Sequence, residues 1–281
     1  MIAHAFLSVT ALSIFRERLR ILLTPRYFVL DRPGGFGRGG RRAFIEPIAA
    51  AEIGTSWTAA VEAVRKSLPR AGRHGTRIDV VFSSVWARCE LIAVGNAILS
   101  DEETALLVRT QFARQYPETT EGGWPLRHAM QNGNLLAAGM QPGLLGALRE
   151  AAVAAGMRLA RAEPLFAWTF DRYQQDLTRL DGWMLLDEPG MLTAACIEQG
   201  QLVSLCAQRC EAQPEEMAAR LLERQNALLR RPAYNVCAFA LGERTLRLPS
   251  PWRTVLQRNI FENLDVVPPS SMAAGAASSS Q

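Results

Sequence analysis

The sequence predicts a mixed α/β (α+β) fold of two subdomains, each a mixed sheet flanked by helices. Three observations predict it. Three short strand-like runs joined by tight turns and followed by a helix-like segment occur twice, over 19–68 and again over 183–229. Each copy is followed by a further strand-like run, at 77–83 and 234–241, so hairpins alternate with helical crossovers. The chain has 281 residues, 48% hydrophobic and 21% charged, enough for one large domain or two coupled ones.

In the first copy, Arg20–Leu23 reads as a strand, Thr24-Pro25-Arg26 as a turn and Tyr27–Asp31 as a second strand. The stretch from Arg32 to Gly40 is glycine-rich. It lacks the terminal Gly-Lys-Ser/Thr of a phosphate loop, and no helix follows it, so it reads as a hairpin tip. Arg42–Ile48 is the third strand. Trp57, Val61, Val64 and Leu68 then recur at helical spacing. Arg77–Ser83 is an apolar run suited to a central strand, and Trp86–Val94 is another strand. Ser100 and Glu103 form a capping-box signature for a helix through Phe112. Gly122–Pro125 reads as a loop and Leu135–Met140 as extended. Gln141-Pro142 opens a helix to about Ala155, which Gly156 ends. Met157–Ala162 is a short strand and Pro164–Leu180 a further helix.

The second copy opens with the strand Trp183–Asp187, the turn Glu188-Pro189-Gly190 and the strand Met191–Glu198. Gln199-Gly200 signals a hairpin into Gln201–Cys210. Pro214–Leu229 is a helix whose Glu215 and Glu216 suit a positive N-terminus. Tyr234–Leu241 is a strand, and Pro249–Phe261 reads as a short closing helix. The organisation is therefore a lead segment 1–18, a first subdomain 19–181, a second 182–266 and a tail 267–281 whose composition predicts disorder.

Net charge is +4, with basic excess at Arg16–Arg20, Arg38–Arg42 and Arg65–Arg77. These read as solvated faces. No aromatic-basic RNA-binding motif accompanies them, so no nucleic-acid partner is expected. Cys89, Cys196, Cys206, Cys210 and Cys237 are odd in number and scattered, which fits reduced thiols better than a disulfide framework. Cys206 and Cys210 share a strand face, but no neighbouring pair completes a zinc set, and no metal site is expected. No run of about 20 apolar residues forms a membrane span. Met1–Phe15 is apolar, but its basic residues follow the apolar stretch instead of preceding it, unlike a secretory signal. It reads as an amphipathic lead helix or a start set too early.

Three segments carry a resemblance. Arg77–Val94 followed by Leu99-Ser100-Asp101-Glu102-Glu103, Pro142–Pro164, and Trp183–Arg209 are similar to the corresponding parts of actin-like (ribonuclease H-like) bacterial assembly proteins. The families are the pilus-assembly protein M group and the cytoplasmic domain of general secretion pathway protein L. The resemblance covers about Leu19 to Phe261 and rests on strand order and hydrophobic pattern. It implies a duplicated actin-like ATPase fold. It also implies protein partners, either an N-terminal peptide of a membrane protein or an assembly ATPase. Location would be cytoplasmic, peripheral at the inner membrane through indirect association, and a homodimer is left open.

Nucleotide-binding members carry Asp-x-Gly on each of two hairpins. Glycine lets backbone N–H groups approach phosphate, and the carboxylate orients Mg²⁺. Here the first hairpin is Leu22-Leu23-Thr24-Pro25-Arg26, with neither residue, and Pro25 removes a donor. The second keeps Asp187 and Gly190 but spaces them by Glu188-Pro189, with Met191 in place of a small residue. Asp187 and Gly190 are therefore the only candidate nucleotide-binding residues, and no catalytic residue is expected. Ser83-Ser84 lacks a nucleophile elbow, Asp101-Glu102-Glu103 is explained by a helix start, and Asp171 and Asp176 read as a solvated helix face. Trp57, Trp86, Trp124, Trp168, Trp183 and Trp252 read as core or subdomain contacts. The expected function is a non-catalytic scaffold of a type IV pilus or type II secretion-like assembly, without cofactor. The alternative is an ATPase binding ATP and Mg at a divergent site.

Overall fold

The computed structural model describes residues 18–31, 43–48, 56–95, 97–117, 119, 123–131, 133–211, 213–230, 233–241 and 245–261. The lead segment, the glycine-rich loop and the tail lie outside the described residues. The first half runs β1 (Arg18–Leu23), β2 (Tyr27–Asp31), β3 (Ala43–Pro47), α1 (Thr58–Ala71), β4 (Arg77–Phe82), β5 (Ala87–Ala93), α2 (Asp101–Gln115), β6 (Leu126–Gln131), β7 (Asn134–Met140), α3 (Leu144–Ala154) and β8 (Arg158–Pro164). Then come α4 (Leu165–Arg172) and α5 (Gln174–Leu177). The second half is β9 (Gly182–Glu188), β10 (Gly190–Glu198), β11 (Gln201–Cys210), α6 (Pro214–Leu229), β12 (Asn235–Ala240) and β13 (Arg253–Asn259).

The two main sheets have the same order, β3-β2-β1-β4-β8 and β11-β10-β9-β12-β13. In each, the first three strands form an antiparallel meander and the last two run parallel to the first. The duplication read from the sequence is thus complete, and it extends to a fifth strand in each half. The elements form for local reasons. Thr24 closes the first hairpin: its hydroxyl donates to the Tyr27 carbonyl at 2.7 Å and accepts from the Tyr27 N–H at 3.2 Å. Gln199 and Gly200 both have positive φ, the backbone that a two-residue hairpin with right-handed strand twist requires. The Ser100–Glu103 capping box is formed in both directions.

Three elements differ from the expectation. Pro249–Phe261 is not a helix: Arg253–Asn259 is an edge strand lying parallel to β12. Its Thr254 and Val255 are β-branched, and the bare edge of β12 supplies the hydrogen bonds that local periodicity cannot reveal. The Pro164–Leu180 helix is broken at Tyr173, where the backbone leaves the helical region and the ring packs tilted against Phe239, centroids 4.7 Å apart. The strand β6 was not expected. It is half-buried, with Arg127 and Met130 exposed, and of weak β propensity, and it pairs with β7 across a tight connection in which Gly133 has φ +77°.

Strands β5, β6 and β7 form a small third sheet, order β5-β7-β6, between β4 and β8 of the chain. One face packs on α2 through Ile92, Leu135, Phe112 and Tyr116. The other, with Cys89, Leu136 and Ala138, joins the largest core. That core spans both halves: Leu22, Tyr27 and Val81 from the first sheet, α4 between, and Met184, Leu186, Ala195 and Phe239 from the second. The two sheets are therefore joined by a continuous apolar seam.

Of the tryptophans, Trp86, Trp168, Trp183 and Trp252 are buried, whereas Trp57 and Trp124 are half-buried. All five cysteines are free thiols. Burial pushes Cys206 and Cys237 up to about 11 and Cys89 up to about 12, so these three are thiols at neutral pH. Among the described residues no cluster of His, Cys, Asp and Glu could hold a metal, and no helix is long and apolar enough to cross a membrane. Arg20, within a run read as solvated, is mostly buried, pairs with Asp31 at 3.8 Å and lies over Trp168. Asp171 is half-buried and close enough to Glu163 to raise its pKa, whereas Asp176 is exposed.

Candidate functional site

The two hairpins that would hold a nucleotide are β1–β2 and β9–β10, and the structure brings them to one place. Strand alternation decides which side chain of β9 points across. Met184 and Leu186 face the core between the halves, whereas Trp183 and Leu185 face α6. Glu188 continues the Met184–Leu186 face, and Asp187 falls on the other. The side chain that crosses to the Ser84 amide is thus Glu188, while the candidate Asp187 lies close enough to Tyr27 of the first hairpin to raise its pKa.

Glu188 is 3% exposed, and its Oε2 accepts the Ser84 backbone N–H at 2.9 Å. Burial raises the pKa of its carboxyl, and the Ser83 and Ser84 hydroxyls, the Ser84 amide and the charge of Arg88 offset that only in part. Met191, opposite Glu188 in the hairpin, belongs to the core of the first subdomain, and its sulfur accepts from Arg88 at 3.4 Å. Arg88 also lies over the Tyr116 ring at 5.6 Å. Gly190 has φ +88°, and a Cβ there would lie 3.8 Å from Val85. On the other hairpin, Tyr27 is buried, with its ring edge-on to Phe261 at 5.6 Å. Burial and the nearby Glu188 and Asp187 charges push its phenol up. Asp187 is itself buried, and its carbonyl accepts from Leu241 at 3.0 Å.

This set does not fit a magnesium-bound triphosphate. Pro25 and Pro189 remove N–H donors where phosphate oxygens need them. Glu188 places a buried carboxyl at the tip, and Met191 and Tyr27 fill the space with apolar volume. Neither Glu188 nor Met191 was singled out as a site residue. The alternation of Trp183–Glu188 was the signal that could have found Glu188.

A second feature lies along the β8 edge of the first sheet. The edge strand β8, the N-terminal part of α3 and strands β6 and β7 enclose a groove of about 170 Å³. Its lining includes Ala138, Gly139, Leu145 and Leu159 together with Arg127, Arg149 and Arg161. Arg161 also pairs with the buried Glu163 at 2.8 Å. Burial pushes Glu163 up to about 7, outweighing the attraction of Arg161. Glu90, on β5, is pushed up to about 7 by burial alone.

Both carboxyls carry a pH dependence of one sign. Between their ordinary value near 4.5 and about 7, the unfolded chain releases protons that the folded chain keeps. Stability is therefore expected to fall as pH rises through that window and to level off above it. Glu163 accounts for on the order of 3 kcal/mol of this fall. Urea melts of Glu163→Gln between pH 4.5 and 7.5 should show a flatter profile than wild type; an identical profile would exclude the assignment.

No protein-family model matches the chain, and no curated protein matches it at a significant level. Solved structures do match. A Bacteroides thetaiotaomicron protein with actin-like ATPase fold and unknown function superposes at TM-score 0.59 and 13% identity, over 82% of this chain and 83% of that one. The PilM–PilN type IV pilus biogenesis complex matches at TM-score 0.58 and 13% identity, covering 81% of each chain. The cytoplasmic domain of EpsL, an inner membrane component of the Vibrio cholerae type II secretion system, matches at TM-score 0.56 and 10% identity, over 94% of this chain and 96% of that one. With the duplicated strand order and the hairpins meeting between the halves, the chain has the actin-like, duplicated ribonuclease H-like fold that these structures share.

Proposed function

We propose that this chain is a non-catalytic, actin-like scaffold of a pilus- or secretion-type assembly, acting at the cytoplasmic face of the inner membrane through protein partners. The observation that carries this reading is the packing of the second hairpin into the first subdomain. Met191 completes a core and Glu188 meets the Ser84 amide where a nucleotide enzyme needs open phosphate donors. The PilM–PilN complex and the cytoplasmic domain of EpsL, similar in fold, support the type of assembly.

The groove along β8 is the docking position in this reading. A sheet edge offers unpaired backbone groups to an extended segment, and the three arginines favour an acidic one. Wild type immobilised against a native extract is expected to retain a pilin-assembly or secretion component. Arg127→Glu/Arg149→Glu, altered at two exposed positions, is expected to lose it. Equal retention by both proteins would remove the groove from the reading.

The alternative is an ATPase holding Mg-ATP through Asp187 and the Gly190 backbone. The positive φ of Gly190 is the one feature that favours it. Calorimetric titration separates the two. The scaffold predicts no heat at millimolar Mg-ATP, whereas micromolar binding lost in Asp187→Ala would establish the alternative.

A further inference from the structure

We propose that the turn 83–88 of the first subdomain is an oxyanion seat, and that its resident ligand is the chain's own Glu188 carboxylate, which fastens the two subdomains together. The seat is assembled within the first subdomain. The Ser83 N–H is bonded to the Leu23 carbonyl at 2.9 Å, the Val85 N–H to the Ser83 hydroxyl at 3.2 Å, and the Trp86 and Ala87 N–H groups to the Ser83 carbonyl, each at 3.0 Å. Among these consecutive amides, Ser84 alone bonds across to the second subdomain, at 2.9 Å to Glu188 Oε2. The Ser83 hydroxyl and the Arg88 guanidinium lie close to the same carboxyl, whereas the Ser84 hydroxyl and Glu188 Oε1 are buried without a hydrogen-bond partner. Arg88 is 6% exposed and held by Met191 and Tyr116.

The ligand is delivered with equal definition. Pro189 and the positive-φ Gly190 close a tight turn that sets Glu188 opposite Met191, so one cross-strand pair presents an anion and an apolar anchor together. A buried carboxyl is disfavoured unless it finds a donor, and the amide that bonds this one, Ser84 N–H, comes from the other half of the chain. The contact therefore acts on the relation between the halves more than on either one. It is built from donors to an anionic oxygen, so the chemistry recognised is a carboxylate or a similar small oxyanion. This inference does not depend on the scaffold reading, because the same contact would close the seam in an enzyme.

The test is chemical rescue. Glu188→Ala removes the carboxylate and leaves the donors. Its melting temperature is expected to lie below wild type and to recover at least half of the loss in sodium formate. Sodium chloride of equal ionic strength should recover none, and wild type should not respond to either salt. No loss in Glu188→Ala, or equal recovery in the two salts, would overturn the seat. If Glu188→Ala does not fold, Glu188→Gln keeps an acceptor and removes the charge. The Ser84 amide should then exchange its hydrogen about tenfold faster than in wild type, because a charge-assisted bond has become a neutral one. Unchanged protection would overturn the proposal equally.

Discussion

Phe166→Ala is expected to destabilise the protein by about 3–5 kcal/mol and to broaden its urea transition. Phe166 is 1% exposed on α4, the helix between the two sheets, and its ring packs against Phe170 at 6.0 Å. Its core holds Leu22 and Val81 of the first sheet together with Met184 and Leu186 of the second. Truncation leaves a cavity lined by both halves. Collapse around it would have to move one sheet towards the other, so little of the lost contact can be recovered. Two probes, tryptophan fluorescence and far-ultraviolet circular dichroism, should give coincident midpoints in wild type and separated ones in the variant. A loss below about 1 kcal/mol would mean that the seam is not a shared core.

Gly182→Ala is expected to cost about 3 kcal/mol, whereas the same substitution at Gly146 should stabilise by about 0.5–1 kcal/mol. A Cβ on Gly182 would sit 2.3 Å from the Asn235 carbonyl oxygen and 3.0 Å from its carbon. Those are backbone atoms where β9 runs beside β12, so relief requires the central strand pair of the second sheet to spread. Gly146 lies within α3, a Cβ there meets nothing within 4 Å, and its φ lies outside the positive range. Only the conformational freedom of the unfolded chain then changes. Paired urea melts of the two variants check both signs. A mild effect at Gly182 would show that β9 and β12 can separate without loss.

The frame of the fold was legible because both copies of the meander use local signals. Thr24-Pro25, Gln199-Gly200 and the Ser100–Glu103 box each act within a few residues. β13 was missed because an edge strand takes its hydrogen bonds from a neighbour distant in sequence. The duplication itself held the answer, since the strand 157–162 of the first copy required a counterpart after β12. β6 was hidden by its polar composition, although Asn132-Gly133 is a hairpin dipeptide. At the hairpins, the Asp-x-Gly pattern drew attention to Asp187, whereas period-2 alternation puts Glu188 on the crossing face. The groove was not legible at all. Its three arginines lie on β6, α3 and β8, and only the folded chain brings them together.

The two copies of the frame are unequal. Between β4 and β8 the first copy carries residues 83–157, with a whole additional sheet, where the second has only residues 241–252 between β12 and β13. Two of the groove's walls, and Arg127 and Arg149 with them, belong to that one-sided decoration. A lineage with this architecture can acquire a new addressee by rewriting the ornament on one copy. The symmetric girders continue to fold as before, so recognition and foldability evolve under separate constraints.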